Sequence, residues 1–190
     1  MKQKIARIFT VAGHPLVLGT LYVIVMAMGN LPSDTAWLLS LLVLGLVTMP
    51  IVVHNLRKLR KGTYSNFDVS DQNQRKGFYP FAILLFLILL GVIYFMDFPK
   101  TVLYNIANFF VMLLVMALFN FKIKASLHAA ISFFTAMGLF SISSLMGILI
   151  MALAMGTTWS RLELKRHTRT ELLIGALTGS FFGMISLSLS

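Results

Sequence analysis

The feature that most constrains this chain is its succession of long apolar runs, each about the length needed to cross a bilayer, separated by short polar or turn-forming stretches. A hydrocarbon layer about 30 Å thick takes a helix of about 20 apolar residues. Within that layer every backbone N–H and C=O must be paired inside its own segment, so such runs are helices. With 58% hydrophobic and only 12% charged residues, the 190-residue chain accommodates six to seven spans and leaves little over for a soluble domain. The expected fold is all-α: a polytopic transmembrane helical bundle of six to seven spans, forming a single integral membrane domain over residues 1–190.

The spans are expected at about 8–28, 35–54, 80–96, 101–120 and 171–187. Residues 129–158 are too long for one perpendicular crossing and are interrupted by Ser141-Ile142-Ser143-Ser144, which predicts two short helices joined by a tight turn. Lys2, Lys4 and Arg7 precede a full-length apolar run with no small-residue cleavage pattern, so the first helix is expected to be retained. His14, just before Pro15, reads as a packed or interfacial side chain. Asn105 and Asn108 share a helical face and read as interhelical hydrogen-bonding groups, while Gly175, Gly179 and Gly183, spaced by four, make a face for close helix packing. The absence of cysteine removes disulfides and thiolate metal sites.

Seven spans place the N-terminus and the loops after spans two, four and six on one side. These segments carry fifteen of the sixteen Lys and Arg residues, with only Lys100 on the other side beside Asp34 and Asp97. The crowded side is expected to be cytoplasmic, in a prokaryotic inner or plasma membrane. Topology thereby accounts for the net charge of +10, and nucleic acid is not an expected partner.

The same alternation brings three polar clusters to one face: Asp68 to Lys76, Lys122 to His128, and Ser160 to Glu171. Each alone also fits a solvated basic loop. Together they offer what a phosphate site requires, namely fixed cations, hydroxyl donors and imidazoles able to exchange protons. His167 and Glu171 are spaced i, i+4, so a carboxylate can hold one imidazole nitrogen and leave the other free to attack. Arg161 can fold over the same pocket and bind two phosphate oxygens with its planar fork. His128 is a candidate general acid, with Lys124 and Ser126 as donors. Asp68 and Asp71 would face one ion if their segment were helical.

At these residues the sequence resembles the type 2 phosphatidic acid phosphatase superfamily of membrane phosphatases, related to the vanadium haloperoxidases. The family's third motif, Ser-Arg, five residues, His, three residues, Asp, is similar to Ser160-Arg161, five residues, His167, three residues, Glu171. Its second motif, Pro-Ser-Gly-His, resembles Ala125-Ser126-Leu127-His128. The first, Lys, six residues, Arg-Pro, is the weakest match: with its Arg on Arg75, Asp68 stands at the Lys and Lys76 at the Pro.

The resemblance covers about residues 68–171 and implies a phosphohistidine intermediate on His167 oriented by Glu171. It further implies leaving-group protonation by His128 and phosphate binding by Arg75, Ser126, Ser160 and Arg161, with Lys124 replacing the missing cation. No metal and no cofactor are expected. The implied activity is hydrolysis of a lipid-linked phosphate monoester or diphosphate, such as phosphatidic acid, phosphatidylglycerol phosphate or a polyprenyl phosphate. The competing readings are a non-catalytic transporter or lipid- and anion-binding protein and, with less support, a magnesium-dependent prenyltransferase using Asp68 and Asp71.

Overall fold

In the computed structural model, which describes residues 1–189, every regular element is helical. Eight helices follow in order among the described residues: α1 (Lys2–Ala12), α2 (Pro15–Asn30), α3 (Ser33–Arg60), α4 (Gln72–Phe95), α5 (Lys100–Lys122), α6 (Leu127–Leu139), α7 (Ser144–Glu163) and α8 (Arg169–Ser188). Five of them, α3, α4, α5, α7 and α8, are long and apolar enough to cross a membrane, and α1 with α2 make a sixth if counted as one broken span. The protein is thus a helical membrane bundle of five to six spans.

Two departures from the sequence expectation shape the site. The first apolar run is not one helix, because Pro15 has no N–H to donate and its ring clashes with the carbonyl four residues back. The chain breaks at Gly13 and His14, and α1 and α2 meet at a bend of 44°. His14 caps the second piece, its Nδ1 accepting the Leu16 N–H at 3.2 Å. α1 is one-sided, with only Ala6 fully buried, and lies along α7 through an edge-on Phe9–Trp159 contact and a 2.9 Å hydrogen bond between Thr10 and Ser160.

The second departure is in the region expected to hold two short helices. The turn falls where Ser141 to Ser144 predicted, but α7 is full length at 20 residues and only α6 is short. The 13 residues of α6 give a rod of about 20 Å, less than the hydrocarbon thickness. Eleven of them are buried, so α6 is a core helix surrounded by the others. Elsewhere α4 starts at Gln72, well before the expected boundary, because the Asp71 carboxylate accepts the N–H groups of Asn73 and Gln74 and caps a new first turn. α3 runs for 28 residues and contains one π-helical turn, Leu44–Thr48.

The glycine face of α8 is what lets α6 sit so deep. A Cβ on Gly179 would fall inside the van der Waals shell of the Ala130 carbonyl, and one on Gly183 would lie 2.7 Å from the Met137 Cβ. α5 is fastened to the same helix by Asn108, whose Nδ2 donates to the Phe182 carbonyl at 2.8 Å, and by Asn105, which accepts from the Ser186 hydroxyl. Leu18, Met112, Met116 and Phe134 fill the centre, while Leu87, Ile148 and Leu177 stay exposed on the outside, as lipid-facing residues do.

The packing predicts a contrast between two glycines. Gly179→Ala forces backbone apart and is expected to cost at least about 1–3 kcal/mol, as overpacking does. Gly91→Ala, where nothing lies within 4 Å, is expected to be neutral or to stabilise by about 0.5–1 kcal/mol. Thermal unfolding of the two variants in detergent checks this, and equal stabilities would contradict the α6–α8 contact.

Candidate functional site

Four segments meet at one end of the bundle: the α1–α2 break, the loop after α3, the link before α6 and the link between α7 and α8. What joins the last two is the α6–α8 contact. The Ser126 N–H donates to the Glu171 carbonyl at 3.1 Å, and one turn further on Gly175 packs against the Ser126 carbonyl.

The His167 end is built by a helix start. Thr168 caps α8, its hydroxyl accepting the Glu171 N–H at 3.3 Å, and the Glu171 carboxylate reaches back to the Thr168 N–H at 3.2 Å, completing a capping box. The same Glu171 oxygen lies 2.8 Å from His167 Nδ1. A carboxylate only accepts, so Nδ1 carries the proton and Nε2 holds the lone pair. That Nε2 is buried and makes no hydrogen bond of regular geometry, although the Lys124 backbone lies close enough to the ring for a weak one. Burial, together with the charges of Arg75, Arg161 and Lys124, pushes the imidazole down to about 2, so it is neutral at physiological pH.

Beside it stands Arg161, 1% exposed, with Nη1 donating to Asp68 Oδ2 at 2.9 Å and with Nε and Nη2 buried and unpartnered. His128, 2% exposed, places its unpartnered Nε2 3.7 Å from the same carboxylate oxygen. The other Asp68 oxygen lies 3.3 Å from His14 Nε2. Asp68 is therefore the centre of a group of three basic side chains. Its own burial would raise the carboxyl, but the hydrogen bond from His14 and the charges of His128 and Arg161 outweigh that and hold it well below the usual carboxylate range.

The loop that delivers Asp68 is bent to do so. Val69 has φ of 47°, a left-handed backbone that costs a β-branched residue on the order of 1–3 kcal/mol. Arg75 holds it there. Its Nε donates to the Val69 carbonyl at 2.8 Å and its Nη1 to the Ala125 carbonyl at 2.9 Å, tying the Asp68 loop to the link before α6. Arg75 thus fixes two walls of the site and adds positive charge near His167.

The other predicted residues fall as follows. Ser126 is fully buried, and its hydroxyl caps α6 by accepting the Ala129 N–H at 3.4 Å. The Ser160 hydroxyl donates to the Thr157 carbonyl at 2.7 Å and pairs with Thr10, so it serves the α1–α7 contact. Lys124 lends its charge to the His167 environment from the link before α6. Asp71 does not join Asp68: the segment between them is not helical and Asp71 is spent on capping α4. His14, read from sequence as a packed or interfacial side chain, is instead a member of the site. The available signal was its place before a proline, which marks a chain break where side chains can turn inward.

His14, Asp68 and His128 also have the separations of a metal-ligand set, each offering a ligand atom within 4.8 Å of the others. The hydrogen bonding argues for a different assignment. Because His14 Nδ1 accepts the Leu16 N–H, its neutral ring carries the proton on Nε2, the atom a cation would need, and the guanidinium of Arg161 is 2.9 Å from the carboxylate. The cluster fits an ion-paired network better than a cation cage.

No family model, no curated protein and no solved structure matches this chain. The reading of the site therefore rests on its geometry.

The two shifted groups predict an acid-labile protein. Both bind fewer protons folded than unfolded: His167 between its usual 6.5 and about 2, and Asp68 below its usual value of 3.8. Stability is expected to be level above about pH 6.5 and to fall below it, with each group contributing at most about 1.4 kcal/mol per pH unit. In His167→Gln the slope between pH 6.5 and 4 should flatten. An unchanged slope would show that His167 is not the group responsible.

Proposed function

We propose that this protein is a membrane phosphatase that hydrolyses a lipid-linked phosphate ester through a phosphohistidine on His167. One observation carries the reading: a neutral imidazole with Nδ1 held by a carboxylate and a buried, unpartnered Nε2, beside the two unpartnered guanidinium nitrogens of Arg161. Among the buried groups with spare hydrogen-bonding capacity, His167, Arg161, His128 and Tyr79 lie at this end of the bundle, and such vacancies mark a place for a ligand. Arg161 brings a fixed positive charge and His128 an exchangeable proton, which suits an oxyanion.

In this reading the Nε2 lone pair of His167 attacks phosphorus as the bond to the leaving oxygen breaks. Glu171 stabilises the imidazolium that develops, as a fixed carboxylate does for any attacking histidine. Arg161 and the positive ends of Lys124 and Arg75 balance the equatorial charge, and His128 supplies the proton to the leaving oxygen. Water then attacks the phosphohistidine as His128 takes a proton back from it, and the N–P bond breaks to release inorganic phosphate and restore His167. The motif resemblance points to the same roles for the same residues. We further place the site on the cytoplasmic side of the membrane, because the loops that build it carry most of the cations.

Asp68 favours a second reading. Where the resemblance leads one to expect a lysine, a carboxylate already occupies Arg161 and sits between two histidines. A site so neutralised also suits a protein that binds and releases an anion without cleaving it. The separation of Asp68 from Asp71 removes the paired aspartates on which a prenyltransferase would depend.

Release of phosphate from a panel of lipid phosphates, with and without a chelator, tests the choice. The phosphatase is expected to work in chelator, to accumulate an acid-labile phosphoprotein, and to lose at least about 10³-fold in rate in His167→Ala. Tight binding with no release would favour the anion carrier. Glu171→Asp is expected to retain more activity than Glu171→Ala, though less than wild type, because the shorter carboxylate cannot serve both Thr168 and His167. Equal losses in the two variants would remove the orienting role.

A further inference from the structure

We propose that the bundle holds the substrate's tail inside the protein, in an apolar tunnel about one span long that takes one chain and measures its length. This rests on the phosphatase reading for the headgroup, and concerns what is attached to it.

The tunnel is a single cavity of about 360 Å³ that begins at His14, Asp68 and His128 and follows α2 down to Asn30. Those 16 residues of α2 amount to about 24 Å, most of the hydrocarbon thickness. The depth order is fixed by the helices on either side. Asn55 of α3 and Tyr79 of α4 line the mouth, Val23, Phe86 and Phe109 the middle, and Leu39 and Val102 the far end. Nothing charged faces the cavity beyond its mouth.

Its unpartnered polar groups lie at the mouth, and the Thr20 and Thr48 hydroxyls on its wall are paired with each other. At the mouth, Asn55, Tyr79 and His128 are each at least nine-tenths buried, and each has a side-chain polar atom without a partner. Below the middle, Asn105 is engaged with Ser186, which also pairs with Tyr22, and the lining continues past this group to Asn30, Leu31 and Val102. A largely apolar interior with one unsatisfied polar mouth matches an amphiphile whose phosphate sits at that mouth, where Asp68 adjoins Arg161, while its tail points inward.

The dimensions select the class. The volume is at the low end for ligand cavities, which run to about 300–1,000 Å³, and it is spread along a length close to that of a whole span. That shape fits one extended chain, as in a prenyl phosphate or a single-tailed lipid phosphate. The two tails of phosphatidic acid do not fit side by side. Entry is provided by a second groove, between α2 and α3 and lined by Val17, Leu21, Ile24 and Val52, which opens outward and reaches the same His14 and Asp68. The π-helical turn of α3 lies at this point, and Thr48 within it hydrogen-bonds Thr20 of α2 at 2.7 Å, which is where the two helices would part.

The test uses the full-length protein in nanodiscs and prenyl phosphates from geranyl through farnesyl and geranylgeranyl to undecaprenyl. kcat/KM is expected to rise with chain length and then level off, and phosphatidic acid is expected to be at least about tenfold poorer than the best single-chain substrate. Val23→Phe and Ala27→Phe, which place a ring at two depths, should move the levelling point to shorter chains, Val23→Phe further than Ala27→Phe. Length-independent rates in the wild type, or equal use of phosphatidic acid, would overturn the tunnel and leave the phosphatase standing. A second measurement, binding of tritiated geranylgeraniol to the His167→Ala protein, needs no hydrolysis. Binding that Ala27→Phe weakens supports the tunnel even if no lipid phosphate is cleaved. Absence of saturable binding in both His167→Ala and wild type counts against it.

Discussion

The structure depends on the contact between α6 and α8. Three glycines at four-residue spacing strip one face of α8 of side chains, and the backbone of α6 moves into the space. In a membrane, where lipid is as apolar as leucine, packing of this kind is what drives helices together. Its consequence reaches beyond stability. The first turn of α6 carries Ser126 and His128, and the first turn of α8 carries Glu171 just after His167, so the glycine seam brings two chemical clusters together.

Local chemistry then sets the details. A capping box at the start of α8 is a common way to satisfy loose N–H groups, but here its carboxylate also fixes the histidine beside it. One side chain begins a helix, chooses a tautomer and leaves the lone pair on the other ring nitrogen. A glutamate in this position reaches both partners, which explains why the longer acid suits this chain. Arg75 plays a similar double part, since the hydrogen bonds that clamp a strained Val69 and the Ala125 link leave its charge beside the site.

The outcome is a polar end and an apolar shaft within one bundle. Asp68 balances the positive side chains at the polar end, and this balance is why a buried cluster of two histidines and an arginine is tolerated so close to the membrane interior. Any incoming anion meets Asp68 as a competitor for Arg161. The shaft below it is mostly apolar, with the Thr20–Thr48 pair and the hydrogen-bonded Tyr22, Ser186 and Asn105 as its main polar features.

The sequence by itself determined the helical class, the membrane setting, the positions of most helices, the glycine seam and the pairing of His167 with Glu171. Those features are written in local terms, as hydropathy, spacing and capping, and local terms survive in any packing. Only the tertiary structure decided that α6 is a short buried core helix, that Pro15 turns His14 into the site, that Asp68 and Asp71 part company, and that Ser160 serves helix packing. Each of these turns on which distant segment occupies a neighbouring space. Arg161 and Asp68 are 93 positions apart and meet at 2.9 Å, a contact that no periodicity along the chain encodes.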